Sequence, residues 1–180
     1  FFGPHLGVLW GRREVIDALT PYKCRCSSNG LPERFETGTP QVELLAGLSA
    51  AVVDFEAVGE MAGEGGSRRA KIAAAYKASI AYENPLAQKL IDGLSDIAGL
   101  NIQGITDPAR LQHRVPTVSF TVDGMSPESI VRQMNAENIF LWSGHNYAWE
   151  VVHQLGIPAD DGVVRIGIAH YNTAGEIDET

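Results

Sequence analysis

Three stretches of this sequence hold residue types that could do chemistry. The first is Val163-Val164-Arg165-Ile166-Gly167-Ile168-Ala169-His170-Tyr171-Asn172-Thr173. Here one arginine alternates with apolar residues in a segment otherwise fit for a buried strand. A buried guanidinium must be paired, and its planar fork suits a carboxylate. An internal Asp or Glu could satisfy it, or the carboxylate of a substrate could. His170, Tyr171 and Asn172 cluster at the end of that strand. The second stretch is Arg34-Phe35-Glu36-Thr37-Gly38-Thr39-Pro40-Gln41. It sets Gly38 and Thr39 just before a helix, where free backbone N–H groups, the helix dipole and a hydroxyl make an anion site suited to phosphate. A plain helix cap by Thr39 is the alternative. The third is the polar turn Ser143-Gly144-His145-Asn146-Tyr147-Ala148.

Other candidates read as structural. His5, His113, His145, His153 and His170 show no metal-ligand spacing, and Cys24-x-Cys26 supplies two thiolates where zinc takes four ligands, so no metal is expected. Asp160-Asp161 reads as a solvated turn. Gly63 to Gly66 lacks the spacing of a nucleotide loop and reads as a hinge or linker.

The elements that must position these residues follow from periodicity and end signals. His5 to Trp10 reads as a short buried strand, and Arg12 to Leu19 as a short helix. Residues 20 to 40 read as a long loop. A helix is expected from Pro40 to Met61, with Leu45, Leu48, Val52 and Phe55 on one face. Ser67 can cap the next helical stretch, Arg68 to Ile97, which Pro85 should kink or split in two. Strands are expected over Val115 to Val122, Ile139 to Trp142 and Val163 to Ala169. Helices are expected from Ser126 to Asn138 and from Tyr147 to Leu155, and Thr173-Ala174-Gly175-Glu176 forms a capping box for a last one. Residues 1 to 62 then resemble the end of an α/β domain, and 63 to 180 an α+β domain.

Composition sets the outer bounds. The 180 residues carry 22 acidic and 14 basic side chains, a net charge of −8, and 44% are hydrophobic. That supports a packed core rather than a disordered chain. The acidic balance argues against nucleic acid as partner. The longest uncharged apolar run, Leu44 to Val53, falls short of the roughly 20 residues of a membrane span. Two cysteines are no disulfide scaffold and suggest a reducing, cytoplasmic setting. The chain begins at Phe1, with an apolar segment and no basic leader, and stops within its last helix. It therefore reads as a segment of a longer protein.

Taken together, Gly3-Pro4-His5-Leu6-Gly7, Arg34 through Pro40, and Arg165 through Thr173 with Glu176-Ile177-Asp178 resemble the C-terminal half of class V aminotransferase family enzymes, in particular their cysteine desulfurase-like members. The resemblance implies a fold-type I pyridoxal 5′-phosphate enzyme. Residues 1–62 would end its large cofactor-binding domain, and 63–180 would form its small C-terminal α+β domain. It implies that Gly38 and Thr39 contact the cofactor phosphate of a neighbouring subunit in a homodimer. Arg165 would bind the α-carboxylate of an amino-acid substrate, with His145 and Asn172 on the substrate side.

Two departures accompany it. The family's Schiff-base lysine would fall one residue before Phe1, and Lys23, Lys71, Lys77 and Lys89 lack the surroundings to replace it. Desulfurases also place a persulfide-forming cysteine after a Gly-His turn, where this sequence has Tyr147, and tyrosine cannot carry a persulfide. Decarboxylation, racemisation, transamination and β-elimination stay open. The contrasting reading is a non-catalytic module for dimerisation or partner binding.

Overall fold

The computed structural model describes residues 3–36 and 38–180. The chain divides into two compact units, Phe1–Ala75 and Tyr76–Thr180.

The first unit is helical. Helix α1 (Arg13–Ala18) is followed by a long irregular segment with a single 3-10 turn at Glu33–Phe35. Helix α2 (Val42–Met61) and the first part of α3 (Arg68–Ser95) complete it. The two helices approach closely because residue 59 is glycine: a Cβ there would lie 2.0 Å from the Lys71 carbonyl oxygen. Ion pairs from Arg68 to Glu56 (3.0 Å) and from Lys71 to Glu60 link the same faces. Residues 62–67, where the domain boundary was expected, form the α2–α3 turn. Gly63 adopts φ +91°, its N–H donates to Glu60 O and that of Glu64 to Gly59 O, which closes α2 in a Schellman motif.

Two expectations for this unit differ from the structure. His5 to Trp10 is not a strand; it is irregular, and Val8, Leu9 and Trp10 are exposed. A strand needs neighbours for its backbone hydrogen bonds, and the described residues of this unit contain none. Helix α2 begins at Val42, so Pro40 lies ahead of it, its carbonyl accepting from the Val42 N–H at 3.0 Å.

The second unit is α+β. Strands β1 (Leu100–Gln103), β2 (Val118–Val122), β3 (Trp142–Gly144) and β4 (Val163–Ile166) form one antiparallel sheet in the order β1-β2-β4-β3. Helices α4 (Pro127–Ala136), α5 (Trp149–Gln154) and α6 (Ala174–Glu179) connect and follow the strands. One face of the sheet carries Val118, Phe120, Val164 and Ile166, packed with Leu86, Leu90, Ile91 and Leu94 of α3 into the core.

Helix α3 runs unbroken through Pro85. Proline removes one donor and frees the carbonyl four residues earlier, at Ala81, but Ala81 is exposed and water can bond it. Burial of Leu86, Ala87, Leu90 and Ile91 immediately beyond holds the helix together. Strand β1 went unexpected, although Leu100 and Ile102 pack on the core while Asn101 and Gln103 alternate with them.

Strand ends shift for local reasons. At the end of α4, Asn138 takes φ 63°, its N–H donates to Asn135 O, and the Ile139 N–H donates to Met134 O. This Schellman closure consumes the donor with which Ile139 would start a strand, so pairing begins at Trp142. Strand β2 begins at Val118 rather than Val115, since Pro116 has no donor and Arg114 takes the carbonyls of Ile105, Val115 and Thr117. The caps read from sequence are present: Ser126 accepts from Ser129 N, and Thr173 and Glu176 form the capping box. Among the described residues no helix is long and apolar enough to cross a membrane.

Candidate functional site

In the second unit, Arg165 sits at the centre of β4, between β2 and β3. Its neighbours Val164 and Ile166 point into the core, so strand alternation sends Arg165 to the opposite face. The register places Ser119 on one side of it and Trp142 on the other, and Gln103 lies beyond Ser119. The side chains Gln103, Ser119, Arg165 and Trp142 thus form one row across the sheet, on the face away from α3. Arg165 is half-buried, and among the described residues no carboxylate pairs with it and no acceptor bonds its guanidinium. Of the two partners that a half-buried arginine could have, an internal acid is missing among the described residues.

The strand end beyond Arg165 is tightly fastened. The Asn172 Oδ1 accepts from the buried Ala169 N–H at 2.8 Å, and the Asn172 N–H donates to Ala169 O at 2.9 Å. The Tyr82 hydroxyl donates to Asn172 O at 2.7 Å. The Asn172 side chain also bonds the Glu176 carboxylate. Together with the Thr173 backbone N–H and hydroxyl, which act most strongly, it holds the Glu176 carboxyl below its usual range. The Asn172 amide is therefore taken up in forming the turn that carries α6. His170 lies against Glu83 of α3, with Nδ1 3.9 Å from the carboxylate. Burial pushes the Glu83 carboxyl up, opposed by the His170 charge and by its backbone N–H.

The turn after β3 is built on left-handed backbone: Asn146 at φ 51° and Tyr147 at φ 61°. The Tyr147 N–H donates to His145 Nδ1 at 3.1 Å, which leaves the proton of the neutral ring on Nε2, available as a donor. The His145 ring meets Tyr147 and Trp149 edge-on, with centroids 6.3 and 5.5 Å away. Tyr147 itself is fully exposed at the tip. Gly162 adopts φ +68°, and a Cβ there would lie 2.1 Å from the Gly144 carbonyl carbon, so this glycine lets the start of β4 close on the end of β3.

In the first unit, Gly38 and Thr39 are exposed, three to four residues ahead of α2. Thr37 lies outside the described residues. The cap position of α2 is Gln41, whose side chain bonds none of the first N–H groups. Thr39 is not the helix cap; the Val42 N–H bonds Pro40 O, and no side chain of the cap residue bonds the other first N–H groups of this 20-residue helix. Arg34 is turned elsewhere: its guanidinium donates to Ile16 O, lies 3.9 Å from Asp17 and stacks over Phe35.

Lys23, Lys71 and Lys89 are engaged structurally. Lys23 donates to Ser27 O, and Lys89 to Asp178 and Ala174 O. The Glu60 carboxylate hydrogen-bonded to Lys71 holds its ammonium above the usual lysine range, the opposite of what a nucleophilic amine needs. Among the described residues no cluster of His, Cys, Asp and Glu could hold a metal ion.

Sequence reasoning missed Trp142 and Ser119 as neighbours of Arg165. Their relation lies in strand register, and the shift of β3 past the Schellman turn hid it.

The class-V aminotransferase family profile matches residues 1–180, and the chain belongs to that family, whose members depend on pyridoxal phosphate. It is 30% identical over 189 aligned residues to a cysteine desulfurase of Synechococcus elongatus, covering 98% of this chain and 26% of that protein. It is 32% identical to an aminotransferase-like protein of Gibberella zeae, covering 99% and 41%. The apo cysteine desulfurase of Thermococcus onnurineus superposes with a TM-score of 0.63 at 26% identity, over 82% of this chain and 31% of that one. A cysteine desulfurase of Escherichia coli shares the fold, with a TM-score of 0.59 at 24% identity, over 82% and 30%. The chain thus spans about a quarter to two-fifths of the curated relatives' length.

Proposed function

We propose that this chain is the C-terminal part of a pyridoxal 5′-phosphate enzyme acting on an amino acid, in which Arg165 holds the substrate α-carboxylate and Gly38 and Thr39 hold the cofactor phosphate. The observation that carries the reading is the half-buried Arg165 guanidinium, with which no acid among the described residues pairs. A strand paired on both sides presents it, and a carboxylate is the group its fork fits. The α2 N-terminus fits the phosphate: its first N–H groups lack a side-chain cap, and a Cβ at Gly38 would meet nothing within 4 Å, leaving room for close approach. When bound, the cofactor supplies an electron sink for the bond broken at the substrate α-carbon. The protein's own share is to fix the carboxylate at Arg165, so that one substrate orientation is held.

Around that core we place the rest of the reading. The Gly38–Thr39 segment serves the site of a second copy, so the enzyme is a homodimer, and the Schiff-base lysine belongs to the part of the protein preceding Phe1. His145 Nε2 is a donor on the substrate side, and Asn172 supports the site by shaping the turn after β4. With Tyr147 at the turn where desulfurases carry cysteine, the reaction is a lyase or transferase step on the amino acid without a protein persulfide. A cytoplasmic setting accords with Cys24 and Cys26, both exposed and unpaired.

The test is Arg165→Ala in a protein extended to the length of its relatives. A hydrogen-bonded charged contact contributes about 1.5–3 kcal/mol, so KM for α-carboxylate substrates should rise about 10- to 150-fold. Arg165→Lys, which keeps the charge and loses the fork, should fall between. An unchanged KM in Arg165→Ala removes Arg165 from the site.

A further inference from the structure

The row of side chains beside Arg165 is asymmetric. Toward β2 it continues with the hydroxyl of Ser119 and the amide of Gln103. Toward β3 it ends at the Trp142 indole, directly opposite Arg165 in register and on the outermost strand. Directly opposite residues share a face, with Cβ atoms about 4.5–5.5 Å apart. Trp142 is 63% exposed, and among the described residues no other ring packs on it and no cation stacks over it. The core gains little from so exposed an indole at a sheet edge.

We infer that Trp142 is a specificity-determining residue, forming an apolar wall beside the carboxylate site and selecting amino acids with an apolar side chain of several carbons over small polar ones. This rests on the reading that Arg165 binds the α-carboxylate. The α-carbon of an amino acid held there is one bond from its carboxylate, and a side chain directed toward β3 meets the indole within a few ångströms. A hydroxyl placed against that wall leaves its water and gains no partner, and a thiol, a small hydrophobe, covers little of it, whereas a longer aliphatic, thioether or aromatic group sheds more apolar surface. The Gly162–Gly144 approach stands beside this pair, at Gly144↔Val163, and fixes the register that sets Trp142 opposite Arg165.

The experiment uses the extended protein and a series of amino acids: glycine, serine, cysteine, leucine, methionine and phenylalanine. Two quantities are read for each, kcat/KM and the equilibrium Kd by calorimetry. The unsubstituted protein should prefer leucine, methionine and phenylalanine to serine and cysteine by about tenfold or more, the scale of a few methylenes in an apolar site. Trp142→Ala should collapse that ratio and leave the affinity for glycine within about twofold, while Trp142→Phe should retain most of it. Arg165→Ala should instead weaken every member of the series together. A ratio unchanged in Trp142→Ala, with uniform weakening in Arg165→Ala, overturns the role of Trp142 and leaves the carboxylate reading standing. No preference in the unsubstituted protein overturns it as well. No effect of Arg165→Ala on any member overturns the reading beneath it. Thermal unfolding midpoints close to that of the unsubstituted protein show that Trp142→Ala is folded.

Discussion

Replacing Asn172 separates forming the turn from touching the substrate. Its Oδ1 accepts from the Ala169 N–H at 2.8 Å, and Ala169 is buried. Alanine at 172 leaves that N–H without a partner, a cost of about 1–3 kcal/mol. The backbone bond from Asn172 N–H to Ala169 O and the Tyr82 bond to Asn172 O do not depend on the side chain and should survive. With a urea m-value of about 1–3 kcal/mol/M, a loss of about 2 kcal/mol lowers the unfolding midpoint by about 1 M. Asn172→Asp keeps an acceptor for Ala169 but faces the Glu176 carboxylate with a second one. It should recover part of the loss near neutrality and more as the carboxylates protonate. Urea unfolding of the three chains checks this, alongside KM for the amino-acid substrate in the extended protein. An Asn172→Ala chain within about 0.5 kcal/mol of the parent, combined with a tenfold rise in KM, would falsify the turn-forming role and put the amide on the substrate.

The remaining predictions concern the frame around the site. Burial pushes the Glu83 carboxyl up from its ordinary value of 4.5. Between that value and the raised one, the folded chain binds more protons than the unfolded chain. The Glu83 contribution is therefore complete below the unfolded value and is lost as pH rises through the folded one. Glu83→Gln should remove this step, flattening the urea midpoint against pH above 4.5; parallel profiles for the two chains would sink the idea. Gly162→Ala should lower the thermal midpoint more than Gly104→Ala. Both adopt left-handed backbone, at φ +68° and +95°, but only at 162 does a Cβ meet backbone atoms, adding an overpacking cost of about 1–3 kcal/mol. Equal losses would show that the β3–β4 junction yields freely.

What could be read without the structure was what local chemistry decides. Ser126 before Pro127, and Thr173 three residues before Glu176, end helices through bonds within one turn of chain, and the structure has both. Strands depend on partners distant in sequence, and there the reading faltered. His5 to Trp10 is apolar enough for a strand but has none beside it among the described residues. Leu100–Gln103 is only four residues long, too short for alternation alone to mark a strand. Pro85 illustrates the other direction, where tertiary burial outweighs a local rule. For Arg165 the sequence leaves an internal acid and an external carboxylate both open, and the positions of the acids in space show only that none among the described residues pairs with it.

The same dependence on register makes the Arg165 row fragile in a defined way. Sliding β3 by one residue would set Leu141 or Ser143 opposite Arg165 and turn Trp142 toward the α3 face, because side chains alternate with a period of two. Few features oppose such a slip in a three-residue edge strand. The Schellman turn at Asn138 fixes where β3 can begin, and Gly162 against Gly144 fixes where it must end. Core packing of Val164 and Ile166 holds β4 in place but places little constraint on an outer strand that carries an exposed Trp142. The position of the indole beside the guanidinium thus rests on a glycine contact and a helix cap, neither of which belongs to the Arg165 row. Substitutions at Gly162 or Asn138 should therefore alter substrate preference and stability together, whereas Trp142→Ala alters preference alone.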